Sequence, residues 1–351
     1  MNAARSHPGR EPAHGLTYRQ AGVDVEAKDG LLAGLAPVIA STHGDSVVAG
    51  VGAFAGAVRL APDRAGSIVA TTDGVGTKTL LARRLGRDAV IGADIVAHCA
   101  NDLVASGARP LAFLDYIAMA RLDAVVVRTL VEAMAAACRG LGIPLLGGET
   151  AEMPDVYAGD AYDVVGTMIG TARPDGVMTG ETVRPGQRLV GLASSGLHTN
   201  GYALARRIIA ASGASLDAVV SDRGDTLGDA LLQPHQCYAP AVLSLCAETR
   251  VHAIAHITGG GIPGNVIRVL PEGCGARVTR GWPVPSVFAW LQRAGAVPDD
   301  DMVRTFNLGI GMIVVVEPQD APSAVAHFLD AGFGAWEIGE VFEGPRGVEL
   351  A

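Results

Sequence analysis

Residues 71–78, TTDGVGTK, place a carboxylate, two glycines and an ammonium group in one short segment. A strand-like run leads into the glycines and a helix-like run follows them. Glycines allow backbone N–H groups to face an anion, and Lys78 could then meet a phosphate oxygen. Asp73 would repel that phosphate unless a cation lay between them, which predicts a Mg²⁺ ligand. The spacing is not that of a Walker A loop, and a simple turn around Asp73–Gly74 explains the pattern equally well.

Four polar residues recur at helical spacing a little further on: Asp94, His98, Asn101 and Asp102. They stand at i, i+4, i+7 and i+8, so they share one face of a helix. Two carboxylates, an amide and an imidazole could bind a metal ion there, although a solvated face is the commoner explanation of such a pattern. The next strand carries Asp115 among apolar residues, and a buried carboxylate is costly unless it is paired or ligated.

A third acidic segment, GGETAEMP at 147–154, has Glu149 and Glu152 three residues apart. The glycine pair predicts a sharp turn after a short buried strand. It places Glu149 at the end of that strand, where α/β proteins commonly bind ligands. A surface turn that begins a helix explains the same residues.

Two loops of the second half could bind anions. Residues 194–202, SSGLHTNGY, offer uncharged donors from Ser195, His198 and Asn200, although helix capping by Asn200 is an alternative. No G-x-S-x-G motif occurs in the segment, so a serine hydrolase is not indicated.

The second of these loops is HITGGG at 256–261. Gly259, Gly260 and Gly261 follow Thr258 and precede a predicted helix, which allows close approach to a phosphate, with a flexible linker as the alternative. We predict ordinary surface or core roles for the isolated histidines: His14, His43, His235, His252 and His327.

Composition limits the possible classes of protein. The chain has 351 residues, of which 49% are hydrophobic and 18% charged, with a net charge of −9. A sizeable core and two domains are expected, whereas disorder and nucleic acid as the main partner are not. The longest apolar run, 308–316, is too short to span a membrane. Five dispersed cysteines suit a reducing cytoplasm, and residues 1–15 are predicted to form a frayed tail.

Strand and helix signals alternate along the chain, which predicts an α/β or α+β fold. Predicted strands are 67–72, 109–119, 143–146, 162–171, 188–193, 308–316 and 335–342. Predicted helices are 77–85, 94–106, 124–141, 200–212, 240–247, 262–270 and 321–331. The Pro- and Gly-rich stretch 173–186 predicts the domain boundary.

Taken together, the motifs resemble those of the phosphoribosylformylglycinamidine cyclo-ligase family over residues 16–345. The segments that carry the resemblance are YRQAGVD (18–24), GVGAFAG (50–56), TDGVGTK (72–78), ADIVAHCANDL (93–103), GARPLAFLDY (107–116), GGETAEMP (147–154), SSGLHTNGY (194–202), HITGGG (256–261) and TFNLGIGM (305–312). The resemblance implies an N-terminal ATP and dimerisation domain at 16–173, whose strands pair across a homodimer into a barrel. It also implies an α/β sandwich substrate domain at 174–351, and ATP-dependent closure of formylglycinamidine ribonucleotide to aminoimidazole ribonucleotide.

The resemblance also implies roles for residues. Mg²⁺ would be held by Asp73, Asp94 and Glu149, and Asp115 would order the site. ATP would be bound by Gly74, Gly76, Thr77, Lys78, Asn101 and Asp102 together with Asp73. His198, Asn200 and Lys78 would act at the transferring phosphoryl group. The substrate would be bound by Ser195, His198, Thr258, Gly259, Gly260 and Gly261.

Two other functions fit the same residues less well. A kinase or synthetase of the wider superfamily would use another substrate, but a selenophosphate synthetase usually has a reactive cysteine near its N-terminus and no cysteine here precedes Cys99. A nucleotide-binding scaffold without catalysis would lack the acidic residues at 73, 94 and 149, and all three are present.

Overall fold

The computed structural model describes residues 15–50, 52–60, 66–221 and 223–351, so the predicted tail lies almost entirely outside the described residues. Within these residues, twelve strands form two six-stranded sheets, one in each half of the chain. The last strand of the first sheet ends at Ala172 and the first strand of the second begins at Arg188. The prediction of a mixed α/β fold in two domains is therefore confirmed.

The first sheet has the strand order β1-β2-β3-β6-β4-β5. Its strands are β1 (Val47–Ala49), β2 (Gly56–Arg59), β3 (Ser67–Gly74), β4 (Arg109–Met119), β5 (Leu145–Glu152) and β6 (Tyr162–Ala172). All neighbours are antiparallel except β4 and β5, which run parallel. Burial alternates along β3 and β6, so one face of the sheet packs on the core and the other does not.

Four helices belong to the first half: α1 (Val25–Ala40), α2 (Lys78–Arg84), α3 (Ala89–Ala105) and α4 (Ala124–Leu141). Helix α4 buries one stripe, consisting of Val126, Leu130, Met134 and Cys138, at the spacing of an amphipathic helix. The Asp123 carboxylate caps its start by accepting from Val125 and Val126 N–H, and left-handed Gly142 ends it.

Helices α3 and α4 cross at Gly92, and this contact leaves no room for a side chain. A Cβ at Gly92 would lie 2.4 Å from the Leu130 carbonyl oxygen and 2.9 Å from Ala133 Cβ. Gly92→Ala should therefore lower the free energy of unfolding by about 1–3 kcal/mol through overpacking. Gly140→Ala, in α4 with nothing within 4 Å of the added Cβ, should instead stabilise slightly, by about 0.5 kcal/mol. Chemical denaturation checks both, and equal midpoints for the two variants would contradict the packing argument.

The second sheet has the order β12-β9-β11-β7-β10-β8. Its strands are β7 (Arg188–Ala193), β8 (Val251–His256), β9 (Cys274–Val278), β10 (Ile310–Val316), β11 (Ala335–Glu343) and β12 (Gly347–Leu350). Its helices are α5 (Tyr202–Ser212), α6 (Leu227–Leu231), α7 (Ala239–Glu248), α8 (Gly261–Val266), α9 (Ser286–Gly295), α10 (Asp299–Thr305) and α11 (Ala321–Asp330). Strands β8 and β10 are buried along their whole length.

Two predicted elements differ from the structure. Strand β5 continues through Gly147–Gly148 to Glu152, so the predicted turn there is wrong. Helix α3 begins at Ala89 rather than Asp94, which places Asp94 inside the helix. The other predicted strands and helices are present with ends shifted by a few residues.

Helix α3 is shared by the two halves of the molecule. It packs on β3, β4, β6 and α4 of the first half and on β8 and α7 of the second. Nearly all of its residues are buried, the polar ones included. None of the helices in the described part of the chain combines the length and apolar character needed to cross a bilayer.

Candidate functional site

The polar face of α3 is not solvated, because each of its four residues bonds to other residues of the protein. We call these four residues, Asp94, His98, Asn101 and Asp102, the α3 polar face. All of them are buried. Their partners lie on α2, on β3 and on loops of the second half, so this face joins the two halves.

Lys78 is fully buried and all of its hydrogen-bonding capacity is used. Its Nζ lies 2.5 Å from Asp94 Oδ2 and donates to the backbone oxygens of His198 at 2.8 Å and Gln233 at 3.0 Å. Burial lowers the pKa of Lys78 and raises that of Asp94, and the charge of each partner opposes the shift in the other. The ammonium group of Lys78 faces protein on every side, and its predicted contact with phosphate stays a prediction.

Asp94 and Asn101 are likewise committed to the protein. Asp94 Oδ1 accepts from the backbone N–H of His235 at 2.8 Å. Asn101 Oδ1 accepts from Tyr238 N–H at 2.8 Å, and its Nδ2 donates to Gln236 oxygen at 2.8 Å. The predicted roles of Asp94 as a metal ligand and of Asn101 as an ATP contact stay predictions, while the bonds shown here hold both side chains within the protein.

Asp73 is partly exposed at the edge of the α3 polar face, and it pairs with His98. Asp73 Oδ2 is 2.8 Å from His98 Nε2, and His98 Nδ1 is 2.7 Å from the Thr199 hydroxyl. Burial opposes charge on both residues, but the pair overcomes it: the pKa of His98 rises to about 9 and that of Asp73 falls to about 2. At neutral pH an imidazolium thus faces a carboxylate whose side chain is still 42% exposed.

The pair of Asp73 and His98 makes the free energy of unfolding depend on pH in the alkaline range. Between the ordinary His pKa of 6.5 and the folded value of about 9, the folded chain holds a proton that the unfolded chain has released. The free energy of unfolding should therefore fall as pH rises through this window, by up to about 3 kcal/mol. Chemical denaturation of the wild type and of His98→Gln measures the effect. A wild-type profile as flat as that of His98→Gln would contradict it.

Three further histidines lie together behind His98. The rings of His198 and His235 stack with centroids 4.0 Å apart, and His235 Nε2 is 3.1 Å from His256 Nε2. His256 Nδ1 in turn lies 2.8 Å from Asp102 Oδ1. His235 is buried, in line with the core alternative predicted for it, and no local motif marks its contacts with the other histidines. Asp102 orients His256 and lies inside the cluster rather than facing an open phosphate site.

His198 adopts an uncommon backbone conformation, with φ +61°. A non-glycine residue in the left-handed region carries strain that the surrounding structure must maintain. Here its backbone oxygen is held by Lys78, and its ring Nε2 accepts from Ser195 N–H at 3.2 Å. The loop around His198 is thus fixed from both sides.

The two glycine- and serine-rich loops of the second half meet each other. Asn200 Oδ1 accepts from Gly259 N–H at 2.8 Å, so that N–H is already used by protein. Thr258 Oγ1 donates to Asn265 Oδ1, and Ser195 Oγ donates to the Pro234 oxygen at 2.5 Å. Gly260 and Gly261 have φ +98° and +62°, as the turn before α8 requires.

Glu149 lies on the opposite face of the first sheet from Asp73. Asp73 pairs with Gly166, Gly166 with Asp115, and Asp115 with Gly148, which places these four residues in one row. Glu149 is the next residue after Gly148, so its side chain points from the other face, where it is exposed. The predicted metal site of Asp73, Asp94 and Glu149 is therefore not formed within the described chain.

Asp115 takes a structural position beside Gly148. A Cβ at Gly148 would lie 2.5 Å from Asp115 Oδ1, so only glycine leaves room for this carboxylate. Burial raises the pKa of Asp115. The turn before α2 is more open: Gly76 and Thr77 are exposed, Gly74 is half-buried, and a Cβ at Gly76 would meet nothing within 4 Å.

The fold and the arrangement of these loops define a two-domain protein of the AIR synthase-related class. Residues 52–172 match the N-terminal domain and residues 184–350 the C-terminal domain described as AIR synthase related protein. The phosphoribosylformylglycinamidine cyclo-ligase of Paraburkholderia phymatum is 43% identical over 351 residues, covering 99% of this chain and 98% of that protein. That of Cupriavidus pinatubonensis is 43% identical over 335 residues, covering 95% of each. The chain belongs to the phosphoribosylformylglycinamidine cyclo-ligase family.

Solved structures share the fold at lower identity. A protein of Thermus thermophilus matches with a TM-score of 0.64 and 22% identity, covering 92% of this chain and 96% of that chain. A thiamine-monophosphate kinase from Stenotrophomonas maltophilia matches with a TM-score of 0.62 and 18% identity, covering 90% and 95%. At this identity the likeness concerns the fold alone.

Proposed function

We propose that this chain is an ATP-dependent ligase that closes the imidazole ring of formylglycinamidine ribonucleotide, giving aminoimidazole ribonucleotide, ADP and phosphate. Besides the similarity to full-length relatives, one structural observation carries the proposal. A continuous path joins four of the predicted segments: Asp73 to His98, His98 to Thr199, and Asn200 to Gly259. Loops that are far apart in sequence are thereby held around one place.

The chemistry requires an amide oxygen to become a leaving group. Transfer of the ATP γ-phosphoryl group to the formyl oxygen forms an O–P bond and breaks the bond to ADP. The neighbouring amidine nitrogen then attacks the activated carbon, and the C–O bond breaks as phosphate leaves with that oxygen. Such transfer depends mainly on positioning and charge neutralisation rather than on a covalent nucleophile.

The residues divide into those that face the reactants and those that position them. Asp73 and the open turn of Gly74, Gly76 and Thr77 would face the triphosphate. The loop from Thr258 to Gly261 would hold the substrate's 5-phosphate, mainly through the amides of Gly260 and Gly261, since Gly259 N–H bonds to Asn200. Ser195, His198 and Asn200 would face the formyl group.

Lys78 and the buried α3 residues act as positioning residues in this proposal. Lys78 fixes the backbone oxygens of His198 and Gln233, and Asn101 fixes residues 236 and 238. Through these bonds the first half sets the geometry of the loops that would contact substrate.

Mg²⁺ enters the proposal as part of the substrate, carried on ATP. The three carboxylates predicted to hold a resident ion do not fit it, because Asp94 is paired with Lys78 and Glu149 points from the other face of the sheet. Asp73, with its exposed carboxylate, is the one of the three that could meet the ion brought by the nucleotide.

The uncovered face of the first sheet supports a homodimer. Val58, Ile68, Leu111 and Leu146 are large apolar side chains on its strands, and all four are exposed. Exposed apolar surface on a sheet favours a partner. We propose a second copy of the chain, whose strands would complete a barrel, and light scattering of the full chain tests the stoichiometry. Free thiols at all five cysteines agree with a cytoplasmic enzyme.

The activity can be tested directly on the purified chain with ATP, Mg²⁺ and formylglycinamidine ribonucleotide. We expect one aminoimidazole product and one ADP for each substrate consumed. The same protein is offered thiamine monophosphate as a competing phosphoryl acceptor, because a kinase shares the fold. Turnover of that acceptor without any aminoimidazole product would overturn the assignment.

A further inference from the structure

We propose that His198, His235 and His256 form a binding site for a Zn²⁺-type transition-metal ion, separate from the Mg²⁺ that accompanies ATP. One ring nitrogen from each of the three lies within 4.8 Å of the others, and all three residues are buried. Three imidazoles with an open fourth position are a common ligand set for Zn²⁺ in proteins.

The ring nitrogens of His235 and His256 face each other. His256 Nδ1 bonds to the Asp102 carboxylate, so it carries the proton and its Nε2 has a lone pair. His235 Nε2 lies 3.1 Å from His256 Nε2 and 3.2 Å from Asn101 Nδ2. It can accept from Asn101 or donate to His256, depending on which of its two nitrogens carries the proton.

At this distance one neutral ring can donate to the other, or a metal ion can accept a lone pair from each. Burial lowers the pKa of both His235 and His256, which keeps the rings neutral, the form in which histidine binds a metal ion. Two nitrogens about 2.0–2.1 Å from a tetrahedral Zn²⁺ lie roughly 3.4 Å apart, close to the separation found here.

Two ring nitrogens of the cluster remain without partners. Within the described part of the chain, His198 Nδ1 and His235 Nδ1 are buried and accept or donate no hydrogen bond. Buried polar atoms are normally satisfied, so such atoms need an explanation. His198 Nε2 accepts from Ser195 N–H, so His198 would give up that bond, or move its ring proton, to become the third ligand.

The fourth histidine of the region is not a ligand. His98 uses both ring nitrogens, one on Asp73 and the other on Thr199. Asp102 instead supports the site from outside, because a carboxylate bonded to the far nitrogen of a ligating histidine orients the ring and raises its basicity. Asp102 lies on α3, so the proposed ion would be tied to both halves of the molecule.

The test uses the full chain, freed of metal by chelation and then titrated with Zn²⁺ against a chromophoric chelator. We expect one Zn²⁺ per chain, and we expect His235→Asn to weaken binding by about 100-fold or more. His327→Asn, a histidine outside the cluster, is the matched control and should bind as the wild type does. Absence of a wild-type site, or equal affinity in His235→Asn, would overturn the proposal and leave a shared proton between the two rings.

A second measurement needs no variant, in case His235→Asn does not fold. X-ray absorption of the Zn²⁺-loaded wild type should show a first shell of light atoms at about 2.0–2.1 Å with the outer-shell pattern of imidazole rings. A shell of oxygen ligands without imidazole scattering would place the ion elsewhere and contradict the assignment.

Discussion

Lys78→Met should lower the free energy of unfolding by about 3–5 kcal/mol, because it leaves the Asp94 carboxylate buried without its cation. Both side chains are fully inaccessible to solvent. The substitution also removes the donor to the His198 and Gln233 oxygens. Equilibrium denaturation of the full chain at neutral pH measures the loss.

The double variant Lys78→Met/Asp94→Asn separates the ion pair from the other bonds. Asparagine removes the buried charge and can still accept from His235 N–H, so the double variant should recover part of the stability lost in Lys78→Met. The coupling between the two positions is then read from the complete cycle. A Lys78→Met variant as stable as the wild type but with a greatly raised KM for ATP would instead restore the phosphate-binding role predicted from sequence.

Asp73→Asn should reduce kcat/KM by about 100-fold or more, since small errors of positioning at a phosphoryl-transfer site have effects of that size. Asparagine keeps the shape of the side chain and can still accept the Gly74 N–H bond. It removes the negative charge that would meet the cation on ATP and that pairs with His98. Initial rates with varied ATP and varied substrate measure the loss.

The control for this variant is Asp175→Asn, an exposed carboxylate in the segment between the two sheets. We expect it to keep wild-type activity. Because Asp73→Asn also weakens the pairing of His98, its denaturation midpoint must be measured at the assay pH, to show that the chain remains folded. Full activity in a folded Asp73→Asn protein would contradict the proposed contact with the nucleotide.

Much of the fold follows from local sequence signals. The strands at 109–119 and 188–193 and the helix at 124–141 begin and end as predicted. Each is bounded by strong signals, such as the Asp123 cap and Gly142 at the two ends of α4. Strand β5 was mispredicted because Gly147–Gly148 reads locally as a turn. Pairing with β4 supplies the hydrogen bonds that keep the chain extended.

The site was less predictable because its residues form hydrogen bonds between the two halves of the chain. Helical spacing correctly placed the α3 polar face on one side of the helix, but spacing cannot reveal that loops 233–238 cover that side. His235 has no local signal at all, and its role depends on ring contacts with residues 37 and 21 positions away.

The positions of Asp94 and Glu149, both predicted metal ligands, have different physical causes. Asp94 and Lys78 each have the charge to bind an ionic ligand. Because both are buried side by side, they form an ion pair with each other instead. Glu149 was misplaced by a single step along a strand, which moves a side chain to the other face of the sheet.

The bonds made by helix α3 also bear on the exchange of domains between related enzymes. Together with Lys78 of α2, the helix makes five bonds across the boundary, and all five end on backbone N–H or carbonyl groups of residues 198 and 233–238. A chimera with the second half of a relative would therefore keep these bonds as long as its chain follows the same path there. A loop displaced from that path would leave buried groups unpaired, at about 1–3 kcal/mol each.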